Sequence, residues 1–177
     1  AAASDFARLP LAPAVLANLR QLGYLAMTPI QAASLPDALR GKDLIAPMVE
    51  AFRAEGLKVG FYYSLIDWHH PEFPVDILHP QSGDEEFLRA NQHRDITKYA
   101  EYLHAQVEEL LTRYGKIDML FFDFSYSNRP AEGLLSHGKG KEDWQSEKLI
   151  QLVRRLQPEI MINNRTEIFQ DYTTPEQ

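Results

Sequence analysis

From Pro47 onward, segments with a helical repeat alternate with short apolar runs rich in β-branched and aromatic residues, and this alternation restricts the fold more than any other feature. Pro47 suits a first helical turn, Met48, Val49 and Phe52 form an apolar stripe, and Gly56 suits a helix end. In Lys58 to Ser64, the residues Val59, Phe61, Tyr62 and Tyr63 fit a strand of a buried parallel sheet. A Pro-, His- and Asp-rich loop from Trp68 to about His93 is too long for a plain connection and reads as functional. Asp95 then caps a helix whose stripe of Ile96, Tyr99, Leu103, Val107, Leu110 and Tyr114 stops at Gly115. The second strand is Ile117 to Asp123. After a loop from Phe124 to Glu142, Leu149, Ile150, Val153 and Leu156 mark a helix that Pro158 ends before the strand Glu159 to Asn163.

Helix-strand alternation of this kind implies parallel strands joined by right-handed crossovers, with every loop that follows a strand opening on one face. The fold class expected is α/β, a partial (β/α)8 TIM-type barrel, because three strands fall short of eight and a whole barrel needs about 200 residues or more. Before Ala46 the texture differs. Leu16, Leu19, Leu22, Ile30, Leu35 and Leu39 fit short helices broken at Gly23 and at Thr28-Pro29, so residues 1–46 are expected to be an all-helical segment and residues 47–177 the partial barrel.

Composition narrows the chemistry. A net charge of -7 argues against a nucleic-acid surface acting through bulk charge. With no cysteine, disulfides, thiolate metal sites and cysteine nucleophiles are all excluded. Ala1 to Phe6 has neither an initiator Met nor the start of a signal peptide, and no apolar run approaches the roughly 20 residues of a membrane span. The expectation is a cytoplasmic chain, read as a fragment, with no membrane partner.

The residues at strand ends are the chemical candidates: Tyr62, Tyr63, Asp67, Trp68, His69 and His70 after the first strand, Asp123 after the second, and Asn163, Asn164 and Arg165 after the third. Asp123 directly follows the buried run Met119-Leu120-Phe121-Phe122. It either caps the next turn or is a carboxylate with a task at the mouth of the sheet. Glu176 is the second carboxylate to consider, against the plainer reading of a solvated tail residue. Retaining glycoside hydrolysis uses two carboxyl groups about 5 Å apart, which must come from different strand ends. Arg165 would orient a ligand or form an ion pair with one carboxylate. His69-His70, with Asp67, His79 and His93, lacks metal-ligand spacing, so no metal is expected, and Trp68 and the tyrosines offer flat faces for a sugar. Gly138-Lys139-Gly140-Lys141 is too short for a phosphate loop and reads as a flexible turn.

Several of these segments together carry a family resemblance. Gly60-Phe61-Tyr62-Tyr63-Ser64-Leu65-Ile66-Asp67-Trp68-His69-His70-Pro71, Tyr99-Ala100-Glu101-Tyr102 with Gln106-Val107, Ile117-Asp118-Met119-Leu120-Phe121-Phe122-Asp123, Asn163-Asn164-Arg165 and Thr174-Pro175-Glu176 resemble, in order, bacterial α-L-fucosidases of glycoside hydrolase family 29. The resemblance spans about Asp43 to Gln177. It implies that Asp123 is the nucleophile, Glu176 the acid/base, and Tyr62 and Arg165 residues of the fucose pocket, to which the reading of the loops adds Trp68. It also implies a fucosylated oligosaccharide or glycoconjugate as substrate and no cofactor. The family's Lys-His-His-Asp-Gly-Phe type motif has no counterpart in this chain, which puts the activity of the chain by itself in question. Unpaired sheet edges would favour self-association.

The N-terminal part resembles something else. Phe6, Gly23-Tyr24-Leu25-Ala26-Met27-Thr28-Pro29-Ile30-Gln31 and Gly41-Lys42-Asp43-Leu44-Ile45-Ala46 are similar to the Q motif region of DEAD-box RNA helicases, with the aromatic residue 17 positions before the glycine. That resemblance implies adenine contacts from Phe6 and Gln31. The GxxxxGK[ST] loop and the acidic helicase motifs do not follow, so ATP hydrolysis is not expected, and Gln31 also reads as a surface residue after a Thr-Pro turn. Both resemblances run through Asp43-Leu44-Ile45-Ala46, where a fusion of natural, engineered or assembly origin is expected; the alternative is one protein with an adapted N-terminal cap. Three classes result: a retaining α-L-fucosidase, a helicase fragment binding adenine nucleotide, and an inactive chimeric carbohydrate-binding or assembly module.

Overall fold

A computed structural model describes residues 5–41, 43–127 and 138–175. The chain divides into two compact units, Ala1–Leu57 and Lys58–Gln177. In the first, the Asp5 carboxylate accepts the Ala7 amide at 2.8 Å and starts a 3₁₀ turn, Phe6–Arg8. Helix α1 (Pro13–Gln21) has proline in its first turn, where the missing N–H costs nothing. Helix α2 (Pro29–Ala38) begins with a capping box in which Thr28 Oγ1 accepts the Gln31 amide at 3.3 Å and Gln31 Oε1 accepts the Thr28 amide at 2.9 Å. Phe6, Leu9 and Met27 form a buried cluster with Leu16, Leu19 and Leu35 packed around it. Helix α3 (Ile45–Ala54) ends through Gly56, whose φ of 72° lets the Leu57 amide turn back to the Phe52 carbonyl at 2.9 Å.

The second unit runs β1 (Gly60–Ser64), α4 (Glu85–Ala90), α5 (Ile96–Arg113), β2 (Met119–Asp123), α6 (Ser146–Leu156) and β3 (Met161–Ile162). Among the described residues these strands form one parallel sheet in the order β1-β2-β3. Register runs from Gly60↔Met119 to Ser64↔Asp123, and from Met119↔Met161 to Leu120↔Ile162. Alternation along the strands therefore puts Phe61, Tyr63, Leu120, Phe122 and Ile162 on one face, and Gly60, Tyr62, Phe121 and Asp123 on the other.

Helix α5 covers the first of these faces. Tyr63 donates its hydroxyl to Gln106 Oε1 at 2.6 Å, Tyr99 donates to the Leu65 carbonyl at 2.8 Å, and Phe61 meets Tyr114 edge-on with centroids 6.2 Å apart. Tyr99, Leu103 and Val107 of α5 and Leu149 and Val153 of α6 are buried beneath this cover. The Gln157 side chain, just past α6, ties the helices together by donating to the Leu111 and Gly115 carbonyls at 2.7 and 2.9 Å.

Two elements differ from expectation. The long loop after β1 contains α4, capped by Asp84 Oδ1, which accepts the Glu86 and Phe87 amides at 3.0 Å each, and anchored by buried Leu88. Six residues are too few to display a stripe. Strand β3 is shorter than expected because the backbone of Asn163 leaves β2 and bridges in parallel to Tyr172. Truncating the fully buried Leu103 to alanine is expected to lower unfolding free energy by about 2–5 kcal/mol in urea titrations. A loss under about 1 kcal/mol would show that α5 does not form the centre of this core.

Candidate active site

The exposed face of the sheet carries its polar groups at the strand C-termini. Tyr62 and Phe121 stand opposite each other, their rings stacked at 5.7 Å and 16°. That stacking directs the Tyr62 hydroxyl along β2, where it donates to Asp123 Oδ2 at 2.7 Å. The other carboxylate oxygen accepts the Phe124 amide at 2.8 Å and lies 3.4 Å from Arg165 Nη1. Phe124 adopts a φ of 70°, a left-handed conformation costly for an aromatic residue, at the sharp exit from β2. Arg165 is in turn held by Nε, which donates to Thr174 Oγ1 at 2.6 Å, while the Thr174 amide donates to Asn164 Oδ1 at 3.1 Å. One carboxylate thus has a phenol, a backbone amide and a guanidinium around it, each contributed by a different chain segment.

The Tyr62 hydroxyl is pushed up to about 12, by loss of water around it and then by its bond to the Asp123 carboxylate and the charge there. It remains a donor across the whole neutral range.

Trp68 is tied to the loop that follows Asp123 through a second carboxylate. Asp76 is wholly buried, and its Oδ2 accepts both the Trp68 indole N–H at 3.3 Å and the Tyr126 hydroxyl at 2.6 Å, while Oδ1 accepts the Leu78 amide at 2.9 Å. Asp76 therefore fastens the loop after β1 to the loop after β2, leaving Trp68 part-exposed with its edge against His79. A third carboxylate, Glu167, accepts the Ser127 amide and hydroxyl at 2.9 Å each and the Lys141 amide at 3.2 Å. Burial raises its pKa, but these bonds outweigh that and hold it below the usual carboxylate range. The segment at Gly138 and Gly140 is packed, contrary to its reading as a flexible turn. Tyr126 donates its amide to the Lys139 carbonyl at 2.7 Å, and a Cβ at Gly138 would collide with the Tyr126 carbonyl oxygen.

The structure brings Tyr62, Asp123 and Arg165 into contact, and Asp76 ties Trp68 to Tyr126 in the loop after β2. Glu176 lies outside the described residues. Phe6 and Gln31 belong to the N-terminal unit, one in its apolar cluster and the other in the capping box of α2. Asp76, Tyr126 and Glu167 escaped the sequence reading. Their only trace there is an acid between apolar neighbours, Val75-Asp76-Ile77, which periodicity does not separate from a turn.

A family model described as Alpha-L-fucosidase matches residues 33–177. The chain belongs to the α-L-fucosidase family. Among solved structures it is similar to α-L-fucosidase isoenzyme 1 from Paenibacillus thiaminolyticus, with 45% identity and a TM-score of 0.60 over 74% of this chain and 28% of that one. The unliganded α-L-fucosidase AlfC from Lactobacillus casei shares the fold, at 23% identity and a TM-score of 0.54 over 76% of this chain and 40% of that one. Among curated proteins, a putative α-L-fucosidase 1 from Oryza sativa subsp. japonica is 26% identical over 138 residues, 77% of this chain and 21% of the plant protein. A stretch of 56 residues, 32% of this chain, is 48% identical to the ATP-dependent RNA helicase DbpA of Escherichia coli (strain K12), of which it covers 12%. The chain thus spans between about a tenth and two fifths of the length of these relatives.

Because the Asp123 carboxylate contributes to the raised pKa of Tyr62, Asp123→Asn is expected to shift the Tyr62 phenol down toward 10. Tyrosinate absorbance titration, with Tyr62→Phe as the blank, measures this. A phenol titrating identically in both backgrounds would rule out the coupling.

Proposed function

We propose that this chain carries the nucleophile sector of a retaining α-L-fucosidase, with Asp123 attacking the anomeric carbon of an α-L-fucoside. The observation that carries the reading is the Asp123 carboxylate at a strand C-terminus, oriented by the Tyr62 hydroxyl, the Phe124 amide and Arg165. In the first step an Asp123 oxygen bonds to C1, the glycosidic C1–O bond breaks, and the leaving oxygen takes a proton from Glu176. Water then attacks C1, gives a proton to Glu176, and frees the Asp123 carboxylate, so the sugar leaves with its starting configuration. Glu176 follows Thr174 by two residues, and Thr174 is bonded to the arginine that contacts Asp123.

We infer further that the sheet is a sector of a (β/α)8 barrel. The strands are parallel and in sequential order, helix α5 covers one face, and the bridge Asn163↔Tyr172 adds the beginning of a further parallel pairing. The opposite face, with Tyr62 59% and Met161 49% exposed, would be the barrel interior. Substrates in this reading are fucosylated glycans. A variant of the fold neighbour AlfC has been described in complex with Fuca(1,6)GlcNAc, which fits that class. Strands that complete the barrel would come from additional chain or from a partner at the sheet edges.

The test is release of aryl alcohol from an aryl α-L-fucoside. Asp123→Ala is expected to lower the rate by at least about 10³-fold, and the first sugar formed by the parent protein, followed by NMR, is the α anomer. Equal release by parent and variant would eliminate Asp123 as nucleophile.

Two ancestries meet near Asp43–Ala46 in our reading, supported by the helicase similarity of a 56-residue stretch that overlaps a family match over residues 33–177. Sequencing genomic DNA across these codons separates a natural join from an artificial one, because a natural join requires one reading frame. Two separate loci would refute a natural join.

A further inference from the structure

Strands β2 and β3 pair as ordinary parallel strands only as far as Leu120↔Ile162. At the next residue the Asn163 backbone goes to Tyr172, and its side chain goes to β2 instead. Asn163 Nδ2 donates to the Phe122 carbonyl at 2.8 Å, and Asn163 Oδ1 accepts the Phe122 amide at 3.1 Å. A carboxamide offers the same donor and acceptor as a peptide group, so this side chain completes the bonds of Phe122 in place of a strand backbone. Asn163 is wholly buried, where leaving the Phe122 groups unpaired would cost the full desolvation penalty.

This substitution has a geometric result at the sheet mouth. A side chain and not backbone therefore joins the two strand ends where Asp123 emerges from one and Arg165 follows the other. Phe122 is nevertheless fixed on the β3 side, while Asp123 itself is fixed on the β1 side by pairing with Ser64 and by the Leu65 amide, which donates to the Asp123 carbonyl at 2.9 Å.

We propose that Asn163 is a positioning residue for Asp123, its carboxamide pinning the end of β2 so that the carboxylate stays between the Tyr62 hydroxyl, the Phe124 amide and Arg165. It acts through the Phe122 backbone and touches no reacting atom. The proposal rests on the reading of Asp123 as nucleophile, and its test separates the two.

Asn163→Ala removes both bonds. Asn163→Asp keeps the shape and the acceptor for the Phe122 amide but, when ionised, turns a second acceptor toward the Phe122 carbonyl; protonation restores the donor. Two measurements are made on each protein: the rate of covalent labelling of Asp123 by a 2-deoxy-2-fluoro-fucosyl fluoride, followed by intact mass, and the NMR shift of the Phe124 amide, which reports the carboxylate it bonds. Both variants are expected to keep the parent's far-ultraviolet circular dichroism, to label about 100-fold more slowly, to lower kcat for an aryl fucoside with KM held, and to lose the response of the Phe124 amide to titration of Asp123. Asn163→Asp regains labelling relative to the parent as pH falls through its own carboxyl titration, and Asn163→Ala does not. A folded Asn163→Ala protein with parental labelling and a parental Phe124 response overturns the proposal. If Asn163→Ala does not fold, a rate for Asn163→Asp that tracks the parent at every pH overturns it equally. A parent that is never labelled instead defeats the fucosidase reading, and the Phe124 resonance then decides the positioning claim by itself.

Discussion

The parallel pairing of β1 with β2, residue against residue from Gly60↔Met119 to Ser64↔Asp123, is the constraint from which the rest of the second unit follows. Because side chains alternate with a period of two, this register sets Tyr62 beside Phe121 and turns Asp123 to the same face. A phenol is long enough to reach one pleat further along the neighbouring strand, which is how Tyr62 meets the carboxylate. A slip of one residue would send Asp123 toward α5 and bring Phe122 out among the polar groups. Burial of Phe122, with its ring edge-on to Tyr63 at 6.1 Å, opposes that slip.

Around this pair carboxylates join distant segments of the loops, alongside apolar anchors such as Phe73 and Trp144. Asp76, Glu167 and Asp171 each accept bonds from two or more chain segments: Asp171 Oδ2 takes Arg154 at 2.6 Å and the Ile162 amide at 2.7 Å. Burial works against the charge on Asp171, but Arg154 and that amide hold its pKa below the ordinary value. Asp76, wholly buried, is costly to bury alone and stabilising because each oxygen is satisfied, so it favours one loop arrangement over its neighbours. A sheet mouth arranged in this way keeps its polar groups in place while leaving Tyr62 and Trp68 accessible.

Much of this was legible because local and tertiary demands agree. Helix α5 shows its stripe from Ile96 onward because one whole face is buried, and β2 shows itself because Leu120 and Phe122 are buried on one side. An acid ending an apolar strand pointed to Asp123, and the strand-end rule pointed to Arg165. What stayed hidden depends on partners distant in sequence. Asp76 needs Tyr126, 50 residues away, and Glu167 needs Ser127, 40 residues away. Asn163 was recognisable as a strand-end residue, but a carboxamide standing in for backbone leaves no periodic mark. Gln31 shows the converse: a motif position whose side chain the local helix start already uses.

The face that carries Asp123 is also the face the described structure leaves open. Parallel sheets are ordinarily covered on both sides, since uncovered apolar groups and unpaired strand edges favour association. Here Tyr62, Met119 and Met161 are exposed on the side opposite α5. In the barrel reading this is one requirement seen twice. In that reading a wall packed against Met119 and Met161 would remove apolar surface from water, and its continuation to the strand C-termini would enclose the space above Asp123. Excluding water there strengthens the contacts of Asp123 with Tyr62 and Arg165, because their attraction is less screened. Completing the sheet and forming the pocket are then a single event, and the stability gained by the first sets the geometry available to the second.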